Sequence, residues 1–386
     1  MNYLPDGHRL DDYQREVLIK LKDFKKNSEW VQGFAGTGKT VLLVFLLKEI
    51  LEEDPEKSIC FLAYTHALKQ LIQSGITSAE SSVRVITKDQ FLNEKSYYDL
   101  ILIDEVQDIP KSELASIKAR ASKIIVAGDL DQSIYPRHCS SMDEINSILE
   151  PRAHNLIILY RITQIIQKIV KSILPGSSIE TARSDRGQDV EVTLAKANST
   201  QEEIEWVWKK CQDFSETGDP AVLLLPSHKS IQRYITTIAE IDNCNDVIDF
   251  TSKREGENSY SLANEQLSNA KIPLQYLGNS FGNLEDSDDR PLTYIMTYHS
   301  SKGLDFDTVF LPNLNNSVEF WRDSDDVSRR IFFVGVTRSR KNLFLSYSSS
   351  EPHRYITGID QSLLRTVNCE EALNDDDDDD DDEFIF

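Results

Sequence analysis

The chain has no apolar run near the ~20 residues that cross a bilayer, so no membrane span is expected. Its first residues, MNYLPDGHRLDDYQREV, lack a basic segment followed by an apolar one, so no signal peptide is expected. Cysteine is scarce and dispersed. Cys60, Cys139, Cys211, Cys244 and Cys369 are odd in number and never at C-x-x-C spacing, which excludes a disulfide framework and a zinc or iron–sulfur site. Reduced thiols in a cytoplasmic protein are the expectation. Cations are in short supply: Lys and Arg number 42 against 64 Asp and Glu, a net charge of −22. Asp375–Asp382 and Glu383 carry nine of those charges, which leaves −13 on the rest. A general basic surface is thereby excluded, and any nucleic-acid site must be a local groove. No internal repeat of fixed period is present.

What the chain does have is a glycine-rich loop in a telling place. Trp30–Leu47 reads WVQGFAGTGKTVLLVFLL and contains Gly33-x4-Gly38-Lys39-Thr40, a full phosphate-loop pattern. Glycines let successive backbone N–H groups turn inward onto phosphate oxygens. Gly33, Ala35, Gly36, Thr37 and Gly38 are the expected cradle, and Lys39 places a point charge at the β- and γ-phosphates. Thr40 offers a hydroxyl to magnesium, which prefers hard oxygen ligands. The apolar run Val41–Ile50 reads as a buried helix whose N-terminal dipole end faces the phosphates. ATP and Mg2+ are the cofactors this pattern implies.

At 386 residues the chain has room for two domains, and 40% hydrophobic content suits a globular protein. Short apolar runs, SICFLA (58–63), DLILI (99–103) and KIIVA (123–127), alternate with helical segments. That alternation predicts an α/β fold with a parallel sheet covered on both faces. Each run ends in a polar signature, at the strand ends where open α/β sheets bind ligands. A second α/β unit is expected after residue 150, in 151–366, with a weakly patterned insertion near 242–290 and a disordered acidic tail over 367–386.

Asp104-Glu105 follows DLILI about 65 residues after the phosphate loop. Asp104 is placed to hold magnesium, and Glu105 to orient and deprotonate the attacking water. Hydrolysis also needs positive charge on the γ-phosphate in the transition state. Arg161, in IILYRITQIIQ, and Arg338, in FFVGVTRSRKNLFL, are the candidates, both expected in the second unit.

From Leu10 to about Tyr347 the chain resembles superfamily-one helicases of the UvrD/Rep/PcrA type, with eight motifs in the family's order. The resemblance implies two RecA-like domains with a nucleotide cleft between them. It implies that Gln14 reads adenine, that Tyr160 stacks on it, and that Gln132, in GDLDQSIY, senses the γ-phosphate. Asp104–Asp108 matches the Asp-Glu-x-Gln-Asp box, and Arg161 contacts the γ-phosphate. Thr297–Phe306, with Gly303 and Asp305, couples nucleic acid to nucleotide, and Arg338 acts as an arginine finger. Tyr64, Thr65, His66, Thr87, Tyr135, His138, Thr297 and His299 are the residues expected on single-stranded DNA, with RNA the alternative strand.

Three departures qualify the match. Only about 20 residues separate His66 from Thr87, and 242–290 is the only room for a second insertion, so the family's large accessory subdomains are missing. Pro136-Arg137-His138 stands where the family commonly places a stacking aromatic. Asp305 replaces the usual glutamate. The function expected is therefore an ATP-dependent 3′-to-5′ single-strand translocase or helicase. The alternative is an ATPase switch regulating a partner such as a nuclease, in repair or antiviral defence. The tail Asp375–Phe386 reads as a solvated charge run, a partner-docking tip or a brake on the chain's own DNA groove.

Overall fold

The computed structural model describes residues 10–23, 28–64, 66–74, 83–135, 141–160, 162–177, 179, 182–184, 190–217, 220–244, 247–250, 260–288 and 291–373. Thr65, Pro136–His138, Arg161 and the tail Asp375–Phe386 lie outside these residues. The chain forms two units. One comprises Met1–Ile162 with Gly176–Gly187, the other Thr163–Pro175 with Gln188–Phe386.

In the first unit α1 (Asp12–Lys22) precedes β1 (Ser28–Gly33), α2 (Lys39–Glu53), β2 (Ile59–Ala63), α3 (His66–Ser74), β3 (Val83–Thr87) and α4 (Lys88–Leu92). Next come β4 (Tyr98–Ile103), α5 (Lys111–Lys118), β5 (Ala121–Gly128), α6 (Met142–Leu149) and β6 (Arg152–Leu156). Their sheet has the order β3-β2-β4-β5-β1-β6, with every pairing parallel. β7 (Ile158–Leu159) pairs separately with β8 (Arg183–Ser184). Strand residues alternate between faces. Trp30, Ile101, Ile103, Ile124 and Val126 pack with Leu114 and Ile117 of α5 and Ile145 and Leu149 of α6. The intervening Val31, Leu100, Leu102 and Ile125 are equally buried, which leaves the sheet covered on both faces as expected. Asp11 starts α1 with a capping box. Its carboxylate accepts from Gln14 N at 2.7 Å, and Gln14 Oε1 accepts from Asp11 N at 3.2 Å.

The chain between 150 and 156, expected in the second unit, forms β6 of the first sheet. The cause is an ion cluster. Glu29 is fully buried and accepts two 2.9 Å bonds from the Arg152 guanidinium and one at 3.0 Å from His154 Nε2. Lys123 Nζ stands 3.6 Å away. These contacts fix Glu29 opposite Arg152 and hold β6 beside β1. The first unit runs through Ile162, so position 161 falls in its range and only Arg338 belongs to the second.

The second unit contains α7 (Gln164–Ile173), β9 (Glu191–Lys196), α8 (Thr200–Glu216), β10 (Ala221–Leu225), α9 (His228–Ile241), α10 (Ser261–Asn269), β11 (Leu274–Tyr276) and β12 (Thr293–Thr297). β13 (Phe306–Leu311), α11 (Asp325–Val336), β14 (Ser339–Tyr347), α12 (Arg354–Thr357) and β15 (Arg365–Asn368) complete it. The sheet order is β11-β12-β10-β13-β14-β9-β15, again parallel throughout. α7 belongs here because it packs on α11, with Arg329 donating to the Ile173 carbonyl at 2.8 Å.

Two sequence expectations change. Part of 242–290 is integral to the sheet. Asn264 of α10 donates to the Tyr276 carbonyl at 3.0 Å and accepts from Tyr276 N at 2.8 Å, satisfying the backbone of edge strand β11. The chain also stays ordered past Val367. β15 pairs with β9, Cys369 is fully buried, and Ala372 and Leu373 pack on the same core.

Glu203 of α8 is fully buried in this unit. Its Oε1 accepts from Asn313 N at 2.7 Å and from Ser346 Oγ at 2.8 Å, which fixes the left-handed backbone of Asn313 (φ 61°) after β13. Burial pushes this carboxyl above its ordinary range. A raised carboxyl supports the fold while protonated and withdraws that support as pH rises through its folded pKa. Glu203→Gln removes this titration. Its melting temperature relative to wild type is expected to rise from mildly acidic to mildly basic buffer. A pH-independent difference would contradict the assignment.

Candidate active site

The glycine loop joins β1 to α2 through two left-handed residues, Gly36 (φ 77°) and Gly38 (φ 80°). Gly38 caps α2 without a side chain, and a Cβ there would stand 2.7 Å from Gln14 Nε2. Only glycine suits both the dihedral and the space. Gln14 Nε2 donates to the Thr37 carbonyl at 3.1 Å, so α1 is tied to the loop. The Thr37 hydroxyl donates to Phe34 O at 2.9 Å. Lys39 is buried, its ammonium donating to the carbonyls of Gly33 (2.9 Å) and Phe34 (3.0 Å). Ala35 is buried in the same loop, and the Gly36 carbonyl accepts from Tyr160 N at 3.0 Å. That bond brings Tyr160, whose side chain is exposed, to the loop beside Gln14.

β4 delivers the carboxylates. Thr40 Oγ1 donates to Asp104 Oδ2 at 2.5 Å, across a sheet in which β5 separates β1 from β4. Asp104 is almost wholly buried. Burial first, and then the neighbouring Glu105 carboxylate, push its carboxyl up to about 6; the Thr40 hydroxyl and Lys39 act in the opposite sense. A hydroxyl and a carboxylate oxygen in contact at a helix N-terminus are a donor set that fits magnesium.

Glu105 has a left-handed backbone (φ 57°), and its own N–H donates to Asp104 Oδ1 at 3.0 Å. The backbone therefore turns sharply at the strand end and sends the two neighbouring carboxylates in different directions. Gln107 Nε2 donates to Glu105 Oε2, while Gln107 Oε1 accepts from Asp129 N at 3.2 Å. Asp129 in turn accepts from Gln132 Nε2 at 2.9 Å. Burial raises the Asp129 carboxyl, against the pull of Lys39. Lys39, Thr40, Asp104, Glu105 and Gln132 are thus brought together on one unit, at the carboxyl ends of β1, β4 and β5. Sequence reasoning assigned no role to Gln107 as the link between Glu105 and the Asp129 turn. Its place in the Asp-Glu-x-Gln-Asp box was the available signal.

The expected nucleic-acid residues of this unit divide. The rings of Tyr64 and Tyr135 stand 4.8 Å apart. The Thr87 hydroxyl accepts from Gln90 N at 3.4 Å and caps α4. His66 opens α3. Thr65, His138 and Arg161 lie outside the described residues.

In the second unit the Thr297 hydroxyl donates to Ser300 Oγ at 2.9 Å and accepts from Ser300 N at 3.1 Å. His299 is half-buried, and that burial, with Lys302 and His228 nearby, pushes its imidazole down to about 4. Gly303 is left-handed (φ 83°) and leads to the half-buried Asp305. Arg338 is buried. Its guanidinium donates to Val334 O (2.8 Å), Leu304 O (2.8 Å) and Thr337 Oγ1 (3.1 Å). These bonds join α11 to the segment that follows His299.

Gly128 gives the first unit a test. A Cβ there would overlap Gln107 Oε1 and stand 2.9 Å from Val106 Cγ1. Gly128→Ala is expected to destabilise the protein by ~1–3 kcal/mol through overpacking, read by chemical denaturation. Wild-type stability would contradict the geometry.

Residues 237–350 match the model of the UvrD-like helicase C-terminal domain, and residues 15–137 match the model of an AAA domain. A probable DNA helicase II homolog of Rickettsia conorii is 36% identical over 91 residues, covering 19% of this chain and 14% of that protein. ATP-dependent DNA helicase Rep of Buchnera aphidicola (subsp. Schizaphis graminum) is 41% identical over 58 residues, covering 14% of this chain and 9% of that protein. ATP-dependent DNA helicase PcrA of Leuconostoc citreum is 36% identical over 88 residues, covering 19% and 12%. The matched stretches are thus a small part of each relative's length. With a family model matched in each unit, and with the phosphate loop and carboxylate pair in place, the chain is similar to the UvrD-like helicases in its second unit and to an AAA domain in its first.

Proposed function

We propose that the chain is an ATP-driven translocase or helicase on single-stranded DNA, moving 3′ to 5′, with ATP held between its two units and hydrolysed there. The observation that carries the reading is the Thr40–Asp104 contact at 2.5 Å, with Lys39 and Glu105 beside it. Thr40 and Asp104 would hold magnesium, which draws charge from the β- and γ-phosphate oxygens. Lys39 would exchange the carbonyls of Gly33 and Phe34 for phosphate oxygens. Glu105, held by Gln107, would take the proton from the attacking water, and Gln132 would contact the γ-phosphate. Gln14 and Tyr160 would bind the base, and Gly303 and Asp305 the nucleotide from the second unit. Arg338 would release the carbonyls of Val334 and Leu304 to meet the transition-state charge, alongside Arg161. A cation supplied by a different unit from the carboxylates makes hydrolysis depend on closure, which turns chemistry into motion.

A cytoplasmic setting is part of this proposal, and dispersed thiols outside any disulfide among the described residues suit it. The test is ATP turnover by the full chain with and without single-stranded DNA. Strong stimulation is expected. Lys39→Ala should abolish turnover, and Arg338→Ala should lower it by ~10³-fold or more. Wild-type turnover in either variant would overturn that residue's role. Turnover indifferent to the strand would favour an ATPase switch that regulates a partner such as a nuclease.

A further inference from the structure

We propose that Trp321, with Arg322 beside it, is a stacking platform for a base of single-stranded nucleic acid. The inference rests on the strand-binding reading above and names a contact that reading does not contain.

β12, β10 and β13 lie side by side in the second sheet. His299 follows β12, His228 opens α9 just after β10, and Trp321 stands in the loop after β13. The carboxyl ends of adjacent parallel strands therefore gather these rings on the sheet edge where α/β folds bind ligands. The His299 and Trp321 rings are 6.4 Å apart, inclined at 50°.

The loop is built to hold the indole in place. Trp321 N donates to Ser328 Oγ at 3.1 Å, and Ser328 Oγ donates to Trp321 O at 2.9 Å. One serine at the start of α11 thus grips both backbone polar groups of Trp321. The adjacent Phe320 is buried, edge-on to Tyr298 at 5.3 Å and packed against Phe332 at 5.6 Å. Phe320 anchors the loop, and Trp321 is left half-buried.

The other three tryptophans of the chain are all in the cores. Trp30, Trp206 and Trp208 are each 1–2% exposed, whereas Trp321 is not buried. No described residue accepts a hydrogen bond from its indole N–H. A half-buried indole on a loop whose backbone is held suits sequence-tolerant base stacking.

The surroundings suit a base with its backbone phosphate. The hydroxyls of Thr297 and Ser300 lie beside His299, with the buried Lys302 near it. Arg322 is the adjacent cation. Its side chain is 88% exposed, and it pairs with the 64% exposed Glu319 at 3.3 Å. An exposed pair of this kind is weak, so the guanidinium can turn to a backbone phosphate while the indole takes the base.

The test uses the full chain, a labelled thymidine oligonucleotide for affinity and unlabelled oligonucleotide for intrinsic emission. Trp321 is the one tryptophan of four that is not buried, so binding should change the emission of wild type. Trp321→Phe should keep most of the affinity and lose the emission change. Trp321→Leu keeps apolar bulk without a π-face and should bind ~5- to 150-fold more weakly, as loss of one stacked base predicts. Arg322→Ala should lower the slope of log affinity against log salt by ~0.7. Melting curves of the variants check folding, and the Phe and Leu pair controls for packing. If wild type binds with unchanged emission and Trp321→Leu binds equally well, the platform is overturned while strand binding stands. If wild type binds no oligonucleotide, strand binding itself fails and the platform with it.

Discussion

A hydroxyl from the first turn of α2 touching a carboxylate from the end of β4 is the contact on which the first unit's proposed chemistry depends. Thr40 and Asp104 are 64 positions apart in the chain, and β5 lies between their strands. They meet because parallel strands deliver their carboxyl ends to one edge, and because left-handed glycines let the loop fold back over that edge. Everything else described in the first site is second to this meeting. Gln14 ties α1 to the loop, Lys39 fills it, and Gln107 ties the Glu105 turn to the end of β5. The burial that makes the contact also raises the Asp104 carboxyl, so the site is arranged for a cation to settle the ionised form.

The second unit repeats the parallel sheet and uses its carboxyl edge differently. Thr297, His299 and Ser300 form a hydroxyl-rich rim, while Arg338 links α11 to the segment behind it through Leu304. The same α11 holds Trp321 through Ser328. The proposed nucleic-acid contact and the proposed transition-state cation therefore hang from opposite ends of a single helix, Asp325–Val336. Glu203 steadies the start of the loop that carries Trp321.

Much of this was legible in the residues. Gly33–Thr40 announced a glycine turn leading into a helix because the pattern needs a particular backbone, and DLILI followed by Asp104-Glu105 announced a buried strand ending in a carboxylate pair. What sequence hid were contacts made by ordinary residues. β6 joined the first sheet through Glu29 and Arg152, a pairing across 123 positions that no local pattern encodes. β11 is three residues long, and its pairing depends on the amide of Asn264. Cys369 and Leu373 were masked by the acidic composition that follows them. Trp321 carried no motif, and its role is suggested only by the contrast with three buried tryptophans.

The central claim is that Thr40 and Asp104 form a magnesium-dependent nucleotide site. The most direct measurement is equilibrium binding of a fluorescent ATP analogue to the full chain, with magnesium and with chelator, in wild type and Asp104→Asn. The account predicts that magnesium tightens binding to wild type and does little for Asp104→Asn. Binding that ignores magnesium in wild type, or keeps its full magnesium response in Asp104→Asn, would contradict it.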